Sequence, residues 1–151
     1  MPIAEIIEAS AFHDHRGVLN AWTAFDLKSI IRMYAIEPAN TNIVRAWQGH
    51  FKERKWFYAA SGSFEVQTIP IDPSGKADSS QRSKWILSAA GAAVLAIPGG
   101  YLNGFRALEA SSRLLVFSDF DLEASKADDI RISLEEIPWI ERGHFDSAQC
   151  K

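Results

Sequence analysis

The chain has 151 residues, 47% hydrophobic and 11% aromatic, with a formal net charge of −3. This composition fits a single globular domain over residues 1–151 and excludes a disordered chain, and the charge excludes general attraction to nucleic acid or an anionic membrane. No apolar run nears the roughly 20 residues of a bilayer span, residues 1–5 (from Met1) lack signal-peptide character, and the lone cysteine, Cys150, permits no internal disulfide; a cytoplasmic address is expected.

Residues 3–11 read as a short strand or mixed segment, and 12–17 as a turn because of Asp14 and Gly17. Loose alternation predicts strands over 18–25 and 30–36, then a loop from Pro38 to 42. Strands follow over 43–51 and 56–60, a turn at 61–63, and a strand over 64–69. Residues 71–80, with Pro73 and Gly75, are the most loop-like stretch. Strands over 84–87, 92–97, 104–108 and 113–117 continue the rhythm, with Pro98-Gly99-Gly100 turning the chain after an apolar run. Helix signals come only at 125–129 and at 133–137, before Pro138. Many short strands between turn signals predict an all-β sandwich or barrel.

Val44-Arg45-Ala46-Trp47-Gln48-Gly49-His50-Phe51, followed by Lys55, mixes cations with aromatics in a predicted strand. In a regular strand Arg45, Trp47 and Gly49 face one way, and Ala46, Gln48 and His50 the other. A cationic, aromatic interior suits an anionic ligand with a flat ring, such as a nucleotide. The alternative is a solvated strand whose charges pair with Glu53 or Glu65. Histidine titrates near neutral pH, so His50 is the candidate base. Gln48 can only hydrogen-bond, and Tyr34 can donate a proton or simply pack. Guanidinium and ammonium groups suit phosphate oxygens, which nominates Arg45, Lys55 and Arg16. No metal is expected: His50 and Glu53 in the first motif and Asn103 in the second fall short of a ligand set. His13 and His15 read as solvated turn residues.

Several motifs carry a family resemblance. Asp14-His15-Arg16-Gly17 resembles an Asp-x-Arg-Gly motif, and Val44-Arg45-Ala46-Trp47-Gln48 partly matches Val-x-Arg-Gly-x-His. Lys55 stands seven residues before Gly62. Ile97-Pro98-Gly99-Gly100-Tyr101-Leu102-Asn103-Gly104-Phe105 is similar to Ile-Pro-x-Gly-x-x-His-Gly-Phe. These are motifs of the cupin family, in its branch of dTDP-4-dehydrorhamnose 3,5-epimerases. The dTDP-4-keto-6-deoxyhexose 3,4-ketoisomerases of that branch are resembled through His50, Arg32-Met33-Tyr34-Ala35-Ile36 and residues 129–137.

The resemblance implies an all-β double-stranded β-helix, the cupin jelly-roll barrel, with a short C-terminal helical segment. It further implies a homodimer acting on a nucleotide sugar by proton transfer, without cofactor or metal. His50 would be the base and Tyr34 an auxiliary acid. Arg45, Lys55 and Arg16 would hold the diphosphate, Gln48 and Asn103 the sugar, and Trp47 would stack on a ring. Gln48 and Asn103 stand where the epimerases have histidines, and residues 113–117 lack the epimerase tyrosine. A cupin that binds a sugar nucleotide or carbohydrate without catalysis is therefore the alternative.

Overall fold

Strands dominate the computed structural model, which describes residues 2–141; Met1 and Cys150 lie outside the described residues. In chain order they are β1 (Glu5–Glu8), β2 (Ser10–Asp14), β3 (Gly17–Ala21), β4 (Arg32–Ile36), β5 (Arg45–His50), β6 (Lys55–Ser61), β7 (Ser63–Pro70), β8 (Ser83–Ser88), β9 (Ala93–Ile97), β10 (Tyr101–Ala107), β11 (Arg113–Ser118) and β12 (Asp129–Arg131). A short helix, α1 (Leu122–Ala127), precedes β12. Two five-stranded antiparallel sheets, ordered β1-β9-β6-β11-β4 and β12-β5-β10-β7-β8, face each other as a double-stranded β-helix, and β2 and β3 form a separate hairpin. Among the described residues no helix is long and apolar enough to cross a membrane.

Several expected boundaries shift; the strand expected over 18–25 ends at Ala21, and the one expected over 104–108 begins at Tyr101. Residues 12–14 belong to β2, and only His15 and Arg16 turn, because Gly17 supplies the positive φ of 130° that closes the hairpin. The helix begins at Leu122, earlier than the predicted 125–129, because the Asp121 carboxylate accepts from the Ala124 amide at 2.8 Å and caps it. Residues 133–137 make a turn, not a helix. Their neighbours Ile132, Leu134, Ile137 and Trp139 are spread over the outer face of the second sheet, against Trp47, Ile69 and Leu102.

The core between the sheets comes from period-2 alternation. Phe57 and Ala59 of β6, Leu114 and Val116 of β11, Phe64 and Val66 of β7, and Phe105 and Ala107 of β10 all enter it. Cross-strand register aligns these positions in rows, and the rows change character along the barrel. Ile36, Leu114 and Ala59 form one row, and Tyr34, Val116 and Phe57 the next. Arg32, Ser118 and Lys55 form the third. The second sheet runs in parallel from Ala107 and Phe105 to Asn103, which pairs with Gln48, itself paired with Arg131. One end of the interior is therefore hydrocarbon and the other polar.

One irregularity reassigns a whole strand face. Asn103 pairs with Gln48 but Phe105 pairs with Arg45, so Ala46 and Trp47 together oppose Gly104. Two residues against one is a β-bulge, and it reverses the alternation beyond it. Arg45 consequently shares the inner side with Gln48, while Trp47 packs outside; the regular-strand assignment of Arg45 and Trp47 to one face is corrected. Gly104 is required there, since an added Cβ would lie 2.5 Å from the Ala46 Cβ and 3.2 Å from the Trp47 ring. Gly104→Ala is expected to cost about 1–3 kcal/mol of stability by overpacking, read as a lower urea midpoint with little change in slope.

Candidate ligand cavity

A cavity of about 570 Å³ opens between the sheets where β4 faces β5 and β12. Phe57, Phe105, Val116 and Ile36 supply apolar wall, and Tyr34, Gln48, Asn103, Lys55, Arg45 and Arg131 its polar part. Among the described residues no Asp or Glu lines it. Cross-strand register sets Gln48 beside both Arg131 and Asn103, and the bulge brings Arg45 to the same side.

Lys55 is buried, and its ammonium donates to the Gln48 amide oxygen at 3.2 Å. The Gln48 amide nitrogen donates to Asp129 at 3.1 Å, and Arg131 Nε donates to the other Asp129 oxygen at 2.8 Å. Burial alone would raise the Asp129 carboxyl, but the hydrogen bonds from Arg131 and Gln48 outweigh it and keep it ionised below the usual range. Tyr34 lies between two cations, with Arg32 5.1 Å and Lys55 5.8 Å from its ring centre. Arg45 extends over Phe105, 6.0 Å from the ring centre.

His50 does not border the cavity. It occupies the next row toward the β5–β6 turn, paired with Tyr101 and Asp129, and is buried. Its Nδ1 is 3.2 Å from the Asp128 carbonyl and 3.4 Å from Glu53 Oε1; its Nε2 is buried without a partner. Trp47 touches the cavity, but its indole is committed elsewhere: Nε1 donates to the Ile137 carbonyl at 2.7 Å and the ring lies against Trp139. Arg16 is 76% exposed, pairs with Asp14 in the β2–β3 hairpin, and is not part of this wall. The structure thus brings together Tyr34, Arg45, Gln48, Lys55 and Asn103, borders them with Trp47, and sets His50 behind them and Arg16 apart. Among the described residues no group of three His, Cys, Asp or Glu side chains could hold a metal ion.

Arg131 is the lining cation that motif reading missed. The alternation Asp129, Ile130, Arg131, Ile132 was the available signal, since the two isoleucines pack against the outer cluster and leave Arg131 at the cavity mouth, largely exposed. Glu53 and Ser118 are also buried beside the wall, joined by a 2.7 Å hydrogen bond.

Burial holds His50 below its ordinary value of 6.5, helped by the Lys55 ammonium and opposed by Glu53, Asp129 and Asp128. The unfolded chain therefore takes up this proton at higher pH than the native one, so stability must fall as pH drops through about 6.5 toward the native value. Thermal melts are expected to show a declining midpoint on acidification across that window, and His50→Gln to flatten that part of the slope.

No family model matches the chain, and no curated protein sequence does. Solved structures do. A dTDP-4-dehydrorhamnose 3,5-epimerase from Bacillus anthracis with TDP and PPi bound superposes with a TM-score of 0.73 at 18% identity, covering 93% of this chain and 86% of that one. A 3,4-ketoisomerase from Helicobacter canadensis gives 0.67 at 20% identity, covering 88% and 92%. A sugar 3,4-ketoisomerase from Thermoanaerobacterium thermosaccharolyticum in complex with TDP gives 0.67 at 19%, covering 89% and 91%. The chain has the fold shared by the dTDP-4-dehydrorhamnose 3,5-epimerases and the sugar 3,4-ketoisomerases.

Proposed function

We propose that the chain binds a dTDP-linked 4-keto-6-deoxyhexose in this cavity and isomerises or epimerises it by cofactor-free proton transfer. The carrying observation is the wall itself. A chain of net charge −3 has a cavity bordered by Arg45, Lys55 and Arg131 and, among the described residues, by no carboxylate. Guanidinium forks match phosphate oxygens, and Phe105 offers a flat apolar surface beside Arg45. The bound TDP in two structural neighbours supports the same ligand class.

Removing a proton beside a ketone needs a base and a donor for the enolate oxygen. Lys55 and Tyr34 are the donors on the wall. The base in this reading is His50, kept neutral by burial and one row beyond Gln48 on the same strand face. Because no imidazole of the described residues borders the cavity, a second reading stands beside the first: a cupin that binds the sugar nucleotide and does no chemistry.

The reading takes the chain as a single cytoplasmic cupin domain that forms a homodimer. Support for pairing comes from the hairpin, whose strands join neither sheet and whose facing residues Phe12 and Leu19 are both exposed. A two-stranded ribbon is marginal by itself. β4 also ends the first sheet, with Met33 exposed, and an open edge invites a further strand.

Isothermal titration is expected to show TDP binding that weakens by about 10- to 100-fold in Arg45→Ala and in Arg131→Ala, in line with the loss of one charge-assisted contact each. Absence of TDP binding by the wild type ends the reading. With the keto sugar in D₂O, exchange beside the ketone that is lost in His50→Ala supports isomerisation; binding without exchange selects the second reading. Light scattering should find a dimer, shifted toward monomer by Phe12→Ser with Leu19→Ser.

A further inference from the structure

Glu53 is a buried charge beside the cavity that this mechanism leaves unused. It sits in the β5–β6 turn with its side chain fully enclosed. That turn is held rigidly: the Phe51, Lys52 and Glu53 amides donate to the Asp128 carboxylate at 3.2, 2.9 and 2.8 Å, and the Arg54 amide donates to Asp119 at 2.8 Å. Glu53 is thereby turned inward. Its Oε2 accepts from the Ser118 hydroxyl at 2.7 Å and faces Arg32 at 3.4 Å and the Lys55 ammonium at 4.0 Å. Its Oε1 has no hydrogen-bond donor at ordinary distance and lies 3.4 Å from His50 Nδ1.

We propose that Glu53 is a positioning residue for proton transfer in the cavity, anchoring Lys55 through one oxygen and holding His50 through the other so that Nε2 is the basic nitrogen. This rests on the isomerase reading above. The argument for the tautomer is one of acceptors. Nδ1 is 3.2 Å from the Asp128 carbonyl, which can only accept, as well as 3.4 Å from the carboxylate. A lone pair on Nδ1 would meet two oxygens, so the hydrogen belongs there, and the other nitrogen carries the free pair. Nε2 is indeed buried and unpartnered. An imidazolium formed at His50 would gain a carboxylate counter-ion in place.

The same carboxylate fixes the wall. The Lys55 ammonium is held between Gln48 and Glu53, which sets its position on the cavity side of β6. The charged groups facing His50 are Glu53 from the turn, Lys55 from β6, and Asp128 and Asp129 from the segment entering β12; Arg32 of β4 reaches it only through Glu53.

Histidine ¹⁵N NMR of the wild-type protein tests the tautomer directly, with the His50 signal assigned by its loss in His50→Gln. The expected pattern above neutral pH is a protonated Nδ1 and a bare Nε2; a protonated Nε2 overturns the proposal. Glu53→Gln should move the His50 titration to lower pH and slow solvent-deuterium exchange by about 100-fold, the lower end of acid–base assistance. Ser118→Ala, which leaves the carboxylate, should leave the titration where it was. An unmoved His50 titration in Glu53→Gln overturns the proposal, and if that variant does not fold the wild-type tautomer decides. Failure of wild-type TDP binding would remove the isomerase reading and leave the tautomer result standing; a wrong tautomer in an exchanging enzyme removes only this inference.

Discussion

Three successive amides closing on the Asp128 carboxylate tie the two halves of the candidate site together. Charge-assisted hydrogen bonds of this kind are short and strong. They dock the residue that ends α1 onto the β5–β6 turn, and two consequences follow. The turn projects Glu53 into the interior, and β12 begins in register beside β5, so Asp129 and Arg131 fall opposite His50 and Gln48. Without that clamp, neither the buried Glu53 carboxylate nor the third cation of the cavity wall would have its place.

The interior itself is a compromise between packing and ligand space. Rows of aliphatic and aromatic side chains close one end of the barrel, where Phe57, Phe64 and Phe105 meet edge to face. At the other end the same strand columns finish in Arg32, Lys55, Ser118, Gln48 and Asn103. Buried charges are costly unless paired. Here the pairing is internal, through Glu53 and the Gln48 amide oxygen, which lets Lys55 remain buried at a cavity wall. The outer face of the second sheet has its own polar network: Arg82 donates to Gln67 and to the Pro138 carbonyl, and Gln67 to the Ile140 carbonyl. These bonds hold down the segment after β12, whose first residues, Ile132 and Ser133, complete the wall.

Much of this was legible in the residues. Period-2 alternation located most strands, Pro98-Gly99-Gly100 marked a real turn, and Tyr34, Arg45, Gln48, Lys55 and Asn103 do converge on one cavity. The sharing of a side by Arg45 and Gln48 was not legible, because a bulge is a property of two strands, and the partner residue Gly104 lies 59 positions away from Arg45. Arg131 escaped because alternation over a three-residue strand is a weak signal beside the longer motifs. His50 lies inside the cationic motif by sequence, yet its row places it beyond the wall.

Local chemistry, then, determined which residues turn, which alternate and which carry charge, because backbone stereochemistry and hydrophobic periodicity act over a few neighbours. Which charges meet was decided only when the sheets closed. Glu53 reaches Ser118 across 65 positions, and His50 reaches Asp128 across 78. Electrostatic partnership in a low-dielectric interior depends on distance in space, and no window of sequence contains that distance.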